Sequence, residues 1–203
     1  MTVFPPLVLA SASPRRRECL DMLGLTYTVH PADIEEHGRP GESAVEHVER
    51  LAREKAVAVA ARFPEAVVLG SDTVVVVDDE VLEKPAGDAE AERMLKRLSG
   101  RSHTVASGLA LAFPPGRVRS GVSTTEVVFR PFGAETASAY VATGEPLDKA
   151  GAYAIQGLGA SLVSEISGDY YTVVGLPVPL LLEFLREMGW EYSFGAFVGG
   201  KRP

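Results

Sequence analysis

Cysteine is nearly absent. Cys19 stands alone among 203 residues, which excludes a disulfide framework and a cysteine zinc cluster and fits a reducing, cytoplasmic setting. Long hydrophobic runs are also missing. No stretch approaches the ~20 apolar residues of a membrane span, and "MTVFPPLVLASASPRR" has neither the basic start nor the apolar length of a signal peptide. Positive charge is in deficit, with 20 Lys and Arg against 27 Asp and Glu and a net charge of −7. Bulk attraction to nucleic acid or an anionic membrane is therefore not expected. Several familiar signatures are lacking as well: GxxxxGK[ST], GxGxxG after a strand, HExxH and GxSxG. His30, His37, His47 and His103 have no metal-ligand spacing and read as loop or surface residues.

What is present is the composition of a globular protein, 46% hydrophobic and 23% charged, long enough to bury a substantial core. "PLVLA" (6–10) reads as a short buried strand leading into a helix at 14–23. Ser13 suits the N-cap of that helix, Pro14 its first position and Gly24 its end. Ser43 and Glu46 form a capping box opening a helix to about Phe63, with Val45, Val48, Leu51, Ala52, Ala56 and Val59 on one face. Lys55 falls on the same stripe. The segment 66–85 is strand-rich, with two apolar runs broken at Gly70 to Thr73 and a turn at Asp78-Asp79. Asp88 caps a helix to Leu98. "SHTVASGLALAF" and "RSGVSTTEVVFRPF" form a hairpin across Pro114-Pro115-Gly116. A helix follows at about 133–143, then a glycine-rich stretch, 144–160. "SLVSEI" and "YTVVG" read as a second hairpin. Pro177 and Pro179 open the last helix, and the low-complexity tail lies at 199–203. Alternating strands and helices with several hairpins predict an α/β fold around a mixed sheet.

Some residues carry chemistry. Arg15, Arg16 and Arg17 crowd the first turn of a helix, where the dipole disfavours cations. Either they form a solvated basic turn, or they hold an anion together with the free N–H groups and the Ser11 and Ser13 hydroxyls. Asp72 sits among β-branched residues, as a turn aspartate or as a working carboxylate. With Glu35 and Glu36 it offers the oxygen donors of a magnesium site completed by substrate phosphates. Lys55 either snorkels or points into a cleft. Lys84, before Pro85, is a solvated lysine or a phosphate ligand. Gln156 is a plain loop residue or one that reads a nucleobase edge.

"SASPRR" (11–16), "SDTVV" (71–75), "EKP" (83–85), "LSGRSHTV" (98–105), "DKAGAYAIQGLGA" (148–160) and "GDYYTVVGLP" (168–177) resemble the Maf family of nucleoside triphosphate pyrophosphatases, from about Val8 to Met188. The resemblance implies a two-lobed α/β fold around an elongated mixed sheet, related to inosine triphosphate pyrophosphatases, with the site in a central cleft. It implies hydrolysis of a nucleoside triphosphate to the monophosphate and pyrophosphate with a divalent cation, Mg²⁺ or Mn²⁺. The motifs are similar to the branch acting on dTTP and UTP, with CTP and modified pyrimidine nucleotides as further substrates. In that branch Asp72 matches the proton acceptor, and Arg15, Thr73 and Gln156 match the positions of substrate choice. Ser11, Ser13, Arg15, Arg16, Lys55 and Lys84 are the phosphate-binding set this implies, with Glu36 and Asp72 as metal ligands. The expected partners are the nucleotide and, at most, a second copy in a homodimer. Two other readings stand beside it: a non-catalytic nucleotide-binding regulator of septum formation, and the 7-methyl-GTP branch of the family. Ser71, Ala154 and the tail 190–203 depart from the pattern, the tail with uncertain order and the whole chain as one domain.

Overall fold

The computed structural model describes residues 3–199. Strand β1 (Leu7–Leu9) is wholly buried. It pairs in parallel with β2 (Thr28–Val29) on one side and β3 (Val67–Val77) on the other. Parallel neighbours need crossovers, which the helices α1 (Pro14–Met22) and α2 (Ala44–Ala60) supply. Beyond β3 come β5 (Ser102–Phe113), β6 (Arg117–Phe129) and β7 (Val163–Ser167), while β4 (Glu80–Leu82) pairs antiparallel with β3. Parallel and antiparallel ladders coexist in this seven-stranded sheet, as the alternating pattern predicts.

Packing divides the chain into two compact units. Among the described residues, the first comprises 3–72, Ser107–Ser123 and 175–199. Its core is made of small residues, among them Val8, Ala10, Ala52, Ala56, Val68, Ala110 and Ala112. Small side chains let α2 ride directly on β3. A Cβ at Gly70 would overlap the Ala52 carbonyl and come within 2.8 Å of the Ala56 nitrogen. Gly70→Ala should therefore force helix and strand apart. The expected result is a loss of 2 kcal/mol or more, about the cost of overpacking a tight core, read by urea melts. Unchanged stability would show that the contact yields.

The second unit comprises Thr73–Ala106 and Thr124–Val174. Helices α3 (Asp88–Leu98) and α4 (Ala134–Val141) pack there, with a core including Val75, Leu95, Leu98, Phe129, Tyr153 and Leu162. The glycine-rich stretch forms three 3-10 turns rather than one open loop.

The structure corrects several expectations. β3 is unbroken through Gly70, Ser71, Asp72 and Thr73, so turn-forming composition there does not make a turn. The turn falls at Asp78 and Asp79, both at positive φ, as expected. "YTVVG" is not a strand but the helix α5 (Tyr170–Val174). Its β-branched residues favour a strand, yet the Asp169 carboxylate accepts from the Tyr171 and Thr172 N–H groups at 3.1 and 2.9 Å and starts a helical turn. Ser13 makes no side-chain cap; its own N–H donates to the Ser11 hydroxyl. Asp88 lies inside α3, and Gly87 is its N-cap. Val45 is exposed despite its place on the apolar stripe. The last helix, α6, spans Val178–Glu187. The region after it forms a hairpin of β8 (Trp190–Tyr192) and β9 (Phe197–Gly199). Phe4 packs edge-on against Trp190 with centroids 5.0 Å apart, and the Tyr192 hydroxyl donates to the Leu23 carbonyl. Of the low-complexity tail, residues 200–203 lie outside the described residues.

Candidate active site

Gly70 and Asp72 are two apart on β3 and so share a face, while Lys55 lies one turn along α2 from Ala52. Close packing of α2 on β3 therefore brings Lys55 to Asp72. The Lys55 ammonium donates to Asp72 Oδ1 at 2.7 Å and pairs with Glu36 Oε1 at 2.9 Å. Lys55 and Asp72 are buried, whereas the Glu36 side chain is half exposed. Two carboxylates thus converge on one ammonium. Among the described residues no group of three or more His, Cys, Asp and Glu is placed to hold a metal ion.

Arg16 stands beside this pair on the first turn of α1. Its Nη1 donates to Ser11 Oγ and its Nε to the Gly175 carbonyl, each at 2.9 Å. Burial pushes its pKa down and Arg15 adds to that, against the opposing pull of Asp72 and Glu36. From so high a starting value it keeps its charge at neutral pH. Arg15 is half-buried, and Arg17 is exposed. Ser71 is fully buried and donates to the same Gly175 carbonyl at 2.9 Å. Ser71 and Arg16 therefore share one acceptor. Neither Gly175 nor its carbonyl carries a signal that residue type or spacing reveals.

The structure thus brings Ser11, Arg16, Glu36, Lys55 and Asp72 together in the first unit, with Ser13 bonded to Ser11. Thr73, Lys84 and Gln156 belong to the second unit. Thr73 is half-buried on β3, Lys84 is exposed two residues beyond β4, and Gln156 is half-buried at the start of a 3-10 turn. Glu35 is exposed. The histidines divide. His30 is half-buried and His37 exposed, but His47 and His103 are buried. His103 Nε2 lies 2.8 Å from the Tyr153 hydroxyl, and burial pushes its pKa down to about 4.

The segment that follows Glu36 is tied to α2. Glu42 accepts from Arg50 Nε at 2.5 Å and Nη2 at 2.7 Å, and His47 Nδ1 is 3.1 Å away. Arg50 also donates to the His37 carbonyl. The Arg50 fork holds the Glu42 carboxyl at about 2, against an ordinary 4.5. Because the folded-state value is depressed, this carboxylate contributes its full stability above about pH 4.5 and loses it as pH falls towards 2. Glu42→Gln should cost about 1.5–3 kcal/mol at pH 7, the range for charged hydrogen bonds. It should also flatten the acid limb of Tm against pH. An acid limb identical to that of the unmodified protein would show that Glu42 is not its source.

No helix among the described residues is long and apolar enough to cross a membrane. A family model described as Maf-like protein matches residues 6–188. A dTTP/UTP pyrophosphatase of Moorella thermoacetica is 53% identical over 185 residues, covering 90% of this chain and 95% of that one. Its namesake in Symbiobacterium thermophilum is 51% identical over 189 residues, covering 93% and 97%. A third of that name, in Anaeromyxobacter, is 48% identical over 205 residues, covering 97% and 98%. Among solved structures, the Ham1 protein of Staphylococcus aureus aligns over 90% of this chain and 99% of its own, with a TM-score of 0.53 at 16% identity, a likeness of fold.

Proposed function

The chain belongs to the Maf family, and from that membership and the site geometry we propose that it is a nucleoside triphosphate pyrophosphatase acting on dTTP and UTP. The observation that carries this reading is the Lys55 ammonium joining Glu36 to Asp72 beside Arg16. Acids that activate water and cations that neutralise phosphate stand in one cluster, which suits in-line attack on a phosphoanhydride.

In this reading Arg15, Arg16, Ser11 and Ser13 bind phosphate oxygens at the start of α1, with Lys55 and Lys84 adding positive charge. Glu36 and Asp72, gathered by the Lys55 ammonium, are hard oxygen donors, and their oxygens other than those bonded to Lys55 would hold a divalent cation that also takes phosphate oxygens. Mg²⁺ or Mn²⁺ held there would offset the charge of the phosphates. Asp72 orients a water and accepts its proton as the water oxygen bonds to the α-phosphorus. The bond from that phosphorus to the bridging oxygen breaks, and pyrophosphate leaves with its new charge facing the cations. Lys55 fixes the direction of the Asp72 carboxylate through its hydrogen bond to Oδ1. Thr73 and Gln156 select the base. Free nucleoside triphosphates form a cytoplasmic pool, and the cytoplasm is the proposed place of action.

A panel of dTTP, UTP, CTP, GTP and 7-methyl-GTP with Mg²⁺ or Mn²⁺, followed by pyrophosphate release, tests the reading. Turnover should be highest on dTTP and UTP. Gln156→Ala should lower kcat/KM on those two by about 1–3 kcal/mol of transition-state binding, the cost of an unsatisfied buried partner. GTP turnover should fall much less. Nucleotide binding without turnover would instead make the protein a sensor, and preference for 7-methyl-GTP would move it to the other branch.

A further inference from the structure

The segment that presents Gln156 is fastened on both sides by one carboxylate–phenol pair. Tyr140, on α4, is buried, and its hydroxyl accepts from the Ala154 N–H at 3.2 Å while donating to Glu145 Oε1 at 2.8 Å. The same Oε1 accepts from the Gly159 N–H at 2.9 Å, and Oε2 from the Leu158 N–H at 3.0 Å. Residues 154 and 158–159 are thus anchored to two touching side chains, with Gln156 between them. Gly157 makes the approach close. It sits at φ +65°, and a Cβ there would lie 2.7 Å from Glu145 Oε2. Glu145 is itself located by Lys149, whose ammonium donates to the Glu145 carbonyl at 2.5 Å. Burial pushes the Glu145 carboxyl up, but the two backbone amides and the phenol overcome it, and it stays ionised below the ordinary carboxylate range. An ionised carboxylate has only acceptor sites, so it suits a place where three donors converge.

We propose that Glu145, acting with Tyr140, is the positioning residue for base discrimination: the pair fixes the backbone on either side of Gln156 and so sets where its amide stands. The proposal rests on the reading that Gln156 selects the base. Glu145 itself need touch no nucleotide. Geometry sets its role, because a carboxylate that grips successive N–H groups fixes a backbone more closely than packing does.

The test compares Glu145→Gln, Glu145→Asp and Tyr140→Phe, each assayed with dTTP and GTP alongside a thermal melt. Glu145→Gln turns one acceptor oxygen into a donor facing a backbone N–H. The ratio of kcat/KM on dTTP to that on GTP should narrow by about tenfold, the scale of one misplaced hydrogen bond. GTP turnover should stay within about threefold and the fold should persist. Glu145→Asp keeps the charge and loses reach, so its ratio should fall in between. Tyr140→Phe should narrow the ratio too, and the Glu145→Gln/Tyr140→Phe double variant should do little more than the worse single one, because the two share Oε1. If Glu145→Gln fails to fold, Tyr140→Phe decides. An unchanged ratio in folded variants overturns the proposal, even if Tm falls, since a merely structural role would slow both substrates alike. Gln156→Ala separates the two failures. If it narrows the ratio and Glu145→Gln does not, the positioning role is wrong and the base reading stands. If Glu145→Gln narrows the ratio and Gln156→Ala does not, the segment selects the base through other atoms.

Discussion

Asp72→Asn should lower kcat on dTTP by about 10²–10⁴-fold, the usual worth of a general base, while the protein remains folded. The substitution is nearly isosteric. It keeps an oxygen for the Lys55 ammonium, now 2.7 Å from Asp72 Oδ1, and Glu36 still pairs with that ammonium, so Lys55 is not left as an unpaired buried charge. What is lost is the negative charge that receives a proton in the proposed mechanism. The same loss should help binding of a triphosphate without metal, because Asp72 repels its phosphates. Weaker turnover with metal, and equal or tighter binding of a non-hydrolysable dTTP analogue without it, is therefore expected. No reduction in affinity is the feature that distinguishes this outcome from general damage. Turnover within about threefold of the unmodified protein, small beside that range, would remove Asp72 from the chemistry.

Arg16→Ala should raise KM for dTTP by at least about tenfold, the lower range for a charged hydrogen bond lost to substrate, whereas Arg17→Ala should change it less than twofold. The two neighbours differ in structure. Arg16 is held by Ser11 Oγ and the Gly175 carbonyl, while Arg17 is exposed. Arg16→Lys should recover little, because a single ammonium cannot span both acceptors and still face a phosphate. Equal effects at Arg16 and Arg17, measured by steady-state kinetics at two salt concentrations, would indicate a diffuse basic patch.

Much of this site is legible in the sequence where one residue contradicts its surroundings. Lys55 interrupts an apolar stripe, and a cation there needs a partner. Asp72 does the same among valines. Three arginines in a first turn oppose the helix dipole. Physical conflict of that kind marks all three positions without structural knowledge. Composition misleads where local preference and tertiary packing disagree. Gly70, Ser71 and Asp72 have turn chemistry, yet each serves an unbroken strand: Gly70 admits α2, Ser71 bonds the Gly175 carbonyl and Asp72 meets Lys55. The valines and threonine of α5 favour a strand, yet Asp169 caps them into a helix. His103 is buried among Phe129 and Tyr153, because its partner is an aromatic hydroxyl 50 residues away in the chain. Backbone roles are the least legible. The Gly175 carbonyl and the amides gripped by Glu145 have no side chain to announce them.

Isotope labelling tests the central reading most directly. The protein is incubated with dTTP in oxygen-18 water, and the products are resolved by phosphorus-31 NMR and mass spectrometry. Attack at the α-phosphorus gives dTMP carrying the label and pyrophosphate without it. Labelled orthophosphate with dTDP, or label in the pyrophosphate, would place the attack at another phosphorus and contradict the assignment of Asp72 and its neighbours to this reaction.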